Sequence, residues 1–194
     1  MRKTIKEAFQ QYSEPDEKHM SPSGFEILIE DLGLSMETIE PLLLCWFFKC
    51  LRMGFISEEE WLLAFDKAGI KKFSVKDLNK QIKLLAIDIK DKQNFKCFYN
   101  WLFNFAKAPN SKTIDLETVE GLLSVIFEPS KPHITPFLGF IKDQSHVAAL
   151  NKDQWQSLLD FSNTINSDFS NYSSESAWPV LLDLYAENTT REKN

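Results

Sequence analysis

Apolar residues recur along this chain with the 3.6-residue period of amphipathic helices. The first run holds Ile5, Ala8, Phe9 and Tyr12, and Pro15 ends it. Further runs predict helices at about residues 24–32, 36–51, 57–65, 74–87, 95–105, 115–126, 136–141, 151–169 and 176–187. No segment alternates polar and apolar positions for long enough to indicate a strand. The pattern therefore predicts an all-α protein of about nine to ten short helices.

Two helix starts carry a clear capping signature. Ser57 precedes Glu60, and Asn151 precedes Gln154, at the spacing that lets each pair satisfy two free N–H groups. Between these helices the polar loop 108–112 divides a predicted single domain, about 4–188, into lobes at about 4–108 and 113–188. The loop is too short for a flexible linker, so the lobes are expected to pack as one unit. Residues 189–194 are predicted to be a tail.

Composition supports a well-filled core and narrows the partners. Hydrophobic residues make up 43% of the 194 residues and aromatic residues 13%, so no disulfide or metal is needed for folding. The net charge of −6 disfavours nucleic acid and anionic membranes as partners. Residues 151–194 carry three basic and seven acidic side chains, which accounts for −4 of that charge. A solvated helix face and a surface that attracts a basic partner both fit this imbalance.

Cysteine usage and hydropathy indicate the compartment. Cys45, Cys50 and Cys97 are odd in number and lie in apolar helical contexts, which predicts buried thiols in a reducing environment. No signal peptide is visible, and the longest apolar run, 41–48, is too short to span a bilayer. We therefore expect a protein of the cytoplasm, the nucleus or both.

The paired helices of the first seventy residues are similar to EF-hands, but their loops are poor in ligands. Calcium loops need oxygen ligands at alternate positions and a bidentate Glu at the end. The first loop offers Glu14 and Asp16 and then continues with Lys18 and His19, and the second has no carboxylate before Glu58. Calcium binding is therefore not expected.

Other chemistry is equally poorly supported. The three histidines are scattered and none pairs with a nearby cysteine, so zinc lacks ligands. No glycine-rich phosphate loop is present. Asp153 and Asp183 could form a carboxylate pair, but acid–base catalysis needs one of them in an apolar pocket, and helix starts are hydrated. We expect no cofactor, no metal and no catalytic residue.

The segment 151–188 is the most informative part of the chain. It holds two amphipathic helices joined by a polar loop, with Trp178 and Pro179 near the second helix start. Asp153 falls in a first turn, where simple capping would explain it. Asp183 is expected one or two turns into its helix and exposed at its edge, and Ala177 leaves a flat spot beside Trp178. These residues predict a carboxylate-bearing docking surface.

The same segment resembles a known family. The runs NKDQW (151–155) and DFSNTINSDFSNYSSESAWPVLLDLY (160–185) are similar to the C-terminal part of the potentiating-neddylation (PONY) domain. That domain defines the defective-in-cullin-neddylation family. The runs LCW (44–46), MGFISEEEW (53–61) and NFAKAP (104–109) fit the same domain in order, so the resemblance covers about residues 4–188.

The resemblance implies an all-helical scaffold with an EF-hand-like N-terminal half and no nucleophile of its own. Such a co-ligase helps a conjugating enzyme transfer a Nedd-type ubiquitin-like modifier to a cullin lysine. The family's acidic patch binds the C-terminal winged-helix region of the cullin, and by motif it corresponds to Asp153, Ala177 and Asp183.

The resemblance also implies a hydrophobic pocket for the acetylated N-terminal Met of the conjugating enzyme. By register its walls are expected to be Phe25, Leu44, Cys45, Phe48, Ile56, Phe105, Leu122 and Val125. The family pattern has two acids and a Gly where this chain has Ser173, Ser174 and Ser176, so we expect the loop beside the patch to alter cullin affinity.

Two alternatives stay open at the level of sequence. The first is an EF-hand-like protein-interaction adaptor without a role in neddylation, whose stability would respond to calcium. The second is a small helical ligase that forms a thioester on Cys45 or Cys50.

Overall fold

A computed structural model describes residues 3–15, 17–144 and 146–192. Within those ranges the chain forms ten α-helices and four short strands, and the predicted all-α class is confirmed. The chain divides into two compact units, Met1–Phe105 and Ala106–Asn194. Asp16 of the first loop and the last two residues of the predicted tail lie outside the described residues.

The first unit consists of helices and one short ribbon. Its helices are α1 (Ile5–Tyr12), α2 (Pro22–Asp31), α3 (Glu40–Phe48), α4 (Glu58–Lys67), α5 (Val75–Asp88) and α6 (Lys92–Ala106), and its strands are β1 (His19–Met20) and β2 (Ile56–Ser57). The strands pair antiparallel, with Met20 opposite Ile56. The ribbon thus joins two helix–strand–helix segments, in agreement with the EF-hand-like rhythm of the sequence.

The core of the first unit is an aromatic cluster around Trp61, which is fully buried. The ring of Phe48 stacks on it with centroids 4.9 Å apart, and Phe9 and Phe65 meet it edge-on at 5.9 and 5.0 Å. The indole Nε1 donates a hydrogen bond to the carbonyl oxygen of Ile5 at 2.9 Å. The one polar atom of the indole ring therefore has a hydrogen-bond partner inside the core.

The second unit repeats the same arrangement. Its strands are β3 (Thr113–Asp115) and β4 (Ala149–Asn151), and its helices are α7 (Leu116–Ile126), α8 (Ile134–Asp143), α9 (Lys152–Thr164) and α10 (Val180–Glu192). The strands pair antiparallel, with Ile114 opposite Leu150. The last residue of each strand caps the next helix, since Asp115 accepts from the Thr118 N–H and Asn151 from the Gln154 N–H. The sequence had indicated this EF-hand-like pairing only in the first half.

The structure corrects two further expectations. The absence of strands was wrong, because segments of two or three residues are too short to show alternation. The helix predicted at 36–51 is shorter, because Pro41 occupies its first turn and Lys49 ends it in the left-handed conformation, with φ of 56°. In the described part of the chain, no helix has both the length and the apolar character needed to cross a membrane.

The ends of the last two helices also differ from prediction. Helix α9 stops at Thr164 instead of continuing to 169, and Phe169 lies in a left-handed turn with φ of 62°. Helix α10 runs over Val180–Glu192 and not over 176–187. The residue before a proline is disfavoured in the helical conformation, which agrees with a helix start after Pro179.

Candidate functional site

Asp153 lies in the first turn of α9 and is exposed. The cap of this helix is Asn151, which forms a complete capping box with Gln154. Asp153 makes no hydrogen bond or ion pair with any described residue. Capping therefore does not explain this carboxylate, and it is available to a partner.

Asp183 lies in the first turn of α10, so the expectation that it sits one or two turns into the helix was wrong. It is also half-buried and not exposed. The Tyr172 hydroxyl donates a hydrogen bond of 2.7 Å to its Oδ1 atom, whereas Oδ2 has no partner among the described residues. One oxygen thus fixes the side chain and the other remains open to a ligand.

Both carboxylates lie in the first turn of a helix, where the helix dipole attracts negative charge. Burial, followed by the hydrogen bond to Asp183, raises the pKa of the Tyr172 hydroxyl. Tyr172 therefore stays protonated and continues to donate at neutral pH. The result is an oriented negative charge at the start of α10.

Ala177 is exposed in the segment that leads into α10. The neighbouring Trp178 packs its ring edge-on against Phe161 of α9, with centroids 5.1 Å apart. Helices α9 and α10 also pack against each other. Asp153 and Asp183 thus lie in the first turns of two helices that pack against each other, and Ala177 lies in the segment that leads into the second. Their assembly into one patch stays a prediction.

The turn after α9 is held by a buried side chain that sequence reasoning missed. His133 is 3% exposed, and its Nε2–H donates to the carbonyl oxygens of Ile165 and Asn166 at 3.0 and 3.1 Å. Its Nδ1 atom then accepts from the Tyr185 hydroxyl at 3.1 Å. His133 thus links the end of α9 to the middle of α10. A single histidine in a polar loop gives no sequence signal for this role.

The residues predicted to line an acetyl-Met pocket are mostly core residues. Leu44 and Ile56 are fully buried, whereas Val125 is half-buried. Phe48 belongs to the Trp61 cluster. Phe25, Leu44, Cys45, Phe48, Ile56 and Phe105 lie in the first unit, and Leu122 and Val125 lie in α7 of the second. The pocket stays a prediction.

The cysteines differ in exposure, and the expectation that all three are buried was wrong. Cys45 and Cys50 are buried, but Cys97 is exposed on α6. A side-chain hydrogen bond with Cys45, followed by burial, raises the pKa of the Cys50 thiol far above its usual range. A thiol in this state is a poor nucleophile, because the thiolate is the reactive form. No cluster of three or more potential metal ligands occurs among the residues that the structure describes.

Comparison with known proteins identifies the class to which this arrangement belongs. A sequence profile described as "Cullin binding" matches residues 77–188, which include the whole predicted patch. The human DCN1-like protein 5 is 34% identical over 179 residues, covering 92% of this chain and 74% of that protein. The DCN1-like protein 4 of Drosophila melanogaster is 34% identical over 180 residues, covering 92% and 71%.

This chain belongs to the cullin-binding, DCN1-like family. The family indicated by the AWPVLLD and KDQW runs is thereby confirmed. The match also extends over nearly all of both units, as the resemblance of the scattered N-terminal runs predicted.

Proposed function

We propose that this protein is a scaffold-type co-ligase that binds a cullin and promotes its modification by a Nedd-type ubiquitin-like protein. Membership of the cullin-binding family supports the cullin as partner. In the proposed mechanism Asp153, Ala177 and Asp183 bind the winged-helix region of the cullin. The acetylated N-terminus of the charged conjugating enzyme binds the pocket predicted from register.

The scaffold makes and breaks no covalent bond in this mechanism. Binding both reactants turns their encounter into an intramolecular one, with an effective concentration set by the geometry of the complex. Orienting the thioester toward the acceptor lysine removes a further part of the barrier. The lysine amine attacks the thioester carbonyl, and the thiol of the conjugating enzyme leaves.

The assignment of the cullin site rests on the hydrogen bonds and ion pairs that Asp153 and Asp183 make or lack. Asp153 has no intramolecular partner, and Asp183 keeps one oxygen free while Tyr172 holds the other. Neither carboxylate forms an ion pair among the described residues. A free carboxylate at Asp153 and an oriented one at Asp183 suit a basic partner surface.

Calorimetry with a cullin C-terminal fragment tests this site. We expect Asp183→Arg to abolish binding, because it replaces attraction by repulsion, and Asp183→Asn to weaken it about tenfold or more. Glu128→Gln is the matched control, since Glu128 is an exposed acid in the same unit. Wild-type affinity in the Asp183→Arg variant would remove the patch from the mechanism. An in vitro modification assay with and without this chain then measures the stimulation itself.

The pocket requires its own test. Peptides from the N-terminus of the conjugating enzyme are compared with the first amine acetylated or free. Acetylation removes a charge that would be costly to bury among apolar side chains, so the acetylated peptide should bind more tightly by at least about tenfold. Equal affinities would contradict acetyl recognition while leaving the cullin site intact.

The EF-hand-like adaptor is the second candidate, because each unit contains helix–strand–helix segments joined by a ribbon. Its discriminating property is a calcium-dependent melting temperature. The scaffold hypothesis predicts no shift at millimolar calcium. A thioester-forming ligase is disfavoured by the raised pKa of Cys50, and a labile adduct in mass spectrometry after incubation with the charged enzyme would revive it.

A further inference from the structure

A small cavity in the first unit is lined by positive charge, whereas the predicted cullin patch carries negative charge. It has a volume of about 270 Å³ and lies along one side of α4. Its lining combines apolar side chains with two cations, and consists of Phe47, Phe48, Lys49, Leu63, Ala64, Lys67 and Ala68. No carboxylate belongs to that set of described residues, although the chain carries a net charge of −6.

The backbone and a neighbouring ring hold Lys49 in place. It ends α3 in the left-handed conformation, where the Lys49 N–H donates to the Trp46 carbonyl oxygen at 3.2 Å. The Cys50 N–H donates to the Cys45 carbonyl oxygen at 3.0 Å, which completes a Schellman motif. The Nζ atom lies 2.9 Å from the centroid of the Trp46 ring. A lysine at a position that favours glycine is thus fixed with its amine against an aromatic face.

The positive charges of Lys49 and Lys67 repel each other. Burial of the amine, followed by the charge of Lys67, lowers the pKa of Lys49 to about 8. Neither lysine forms an ion pair among the described residues, and Asp66 lines a different cavity on α4. An anion placed here would gain attraction from two charges that now repel each other.

We propose that this cavity binds an acidic peptide segment, with one apolar side chain of the segment beside Leu63 and a carboxylate between Lys49 and Lys67. A small anion alone would leave the apolar lining exposed. The cavity is also smaller than a typical small-molecule site. Leu63 in the lining is 49% exposed, so an apolar side chain of a partner can reach it. These features fit a peptide that inserts one apolar side chain into the cavity.

The test uses fluorescence anisotropy of a labelled decapeptide in which Leu and Phe alternate with Glu. One control peptide replaces Glu by Lys, and another replaces Leu and Phe by Ser. The protein variants are Lys49→Gln/Lys67→Gln and Leu63→Ser. Lys71→Gln/Lys72→Gln is the matched control, because these exposed lysines change the net charge equally and lie outside the cavity lining.

We expect the double variant at Lys49 and Lys67 to weaken binding about tenfold, and more at low salt than at high salt. Leu63→Ser should weaken binding severalfold without that salt dependence, and the control variant should bind normally. Both control peptides should bind poorly. Equal losses in the two lysine pairs would indicate diffuse attraction and overturn the proposal. So would failure of the wild-type protein to bind the acidic, apolar peptide. Circular dichroism establishes that each variant is folded.

Discussion

The two units have the same arrangement of helices around a two-stranded ribbon, but their cores are held together by different interactions. In the first unit, aromatic rings stack and meet edge-on around Trp61, whose indole N–H donates one hydrogen bond. In the second unit, aromatic rings surround His133, whose two ring nitrogens hold two carbonyls and a hydroxyl. Packing of apolar rings dominates the first core, and hydrogen bonds of a buried side chain add direction to the second.

The two kinds of core interaction have different effects on the groups that they hold. Burial of apolar area stabilises a unit without fixing the direction of any one group. The candidate cullin site depends on direction, because Asp153 and Asp183 open two separate helices. Bonds from His133 to the end of α9 and to Tyr185 of α10 tie those helices together. These bonds fix the end of α9 relative to α10.

The largest expected effect is in the first unit, at Trp61. Trp61→Ala should lower the free energy of unfolding by about 3–5 kcal/mol, because it leaves a cavity and frees the Ile5 carbonyl. Chemical denaturation measures the loss, and hydrogen exchange locates it. Reduced protection should be strongest in α1, α3 and α4. A change confined to the second unit would break the comparison between the two cores.

The second effect concerns His133. His133→Phe keeps an aromatic ring but leaves the carbonyls of Ile165 and Asn166 without their donor, at a cost of about 2–4 kcal/mol. Tyr185→Phe is the milder control, since it removes only the hydroxyl. Hydrogen exchange should now report lost protection around the α9 end and α10. If His133→Phe is neutral, directional bonds do not organise this core.

The contrast also explains which features the sequence could predict. Capping residues act on N–H groups two or three positions away, so Ser57 and Asn151 predict helix starts from local spacing alone. The aromatic content likewise predicts a filled core. His133 and Tyr185 are 52 positions apart, and nothing local to either residue specifies their bond. Such contacts arise only after the helices have packed.

In the candidate site, too, some features could be predicted from the sequence and others could not. Motif resemblance located Asp153, Ala177 and Asp183 within one segment, and the structure places the two carboxylates in the first turns of α9 and α10. Tyr172 was not assigned a role, although it lies inside the same motif. Its hydroxyl donates to Asp183 in the first turn of α10, which starts at Val180, four residues later than predicted.

A smaller effect is expected at Tyr172. Tyr172→Phe should cost about 1.5 kcal/mol of stability, because it removes a hydrogen bond to a charged acceptor. It should also weaken cullin binding severalfold, since the Asp183 carboxylate loses its fixed orientation. Calorimetry and denaturation of Tyr172→Phe, Asp183→Asn and the double variant give the coupling between them. Additive effects on both properties would show that the bond does not position the carboxylate.

The smallest effects distinguish the two units at equivalent positions, the capping boxes of α4 and α9. Ser57→Ala and Asn151→Ala should each cost about 1 kcal/mol, because each removes the acceptor for a helix N–H. Only Asn151→Ala should weaken cullin binding, because the turn that it caps carries Asp153. Asn151→Ser retains a capping oxygen and should restore both properties. Equal cullin affinity in the two alanine variants would mean that the position of Asp153 does not depend on its helix start, and binding would then rest on charge alone.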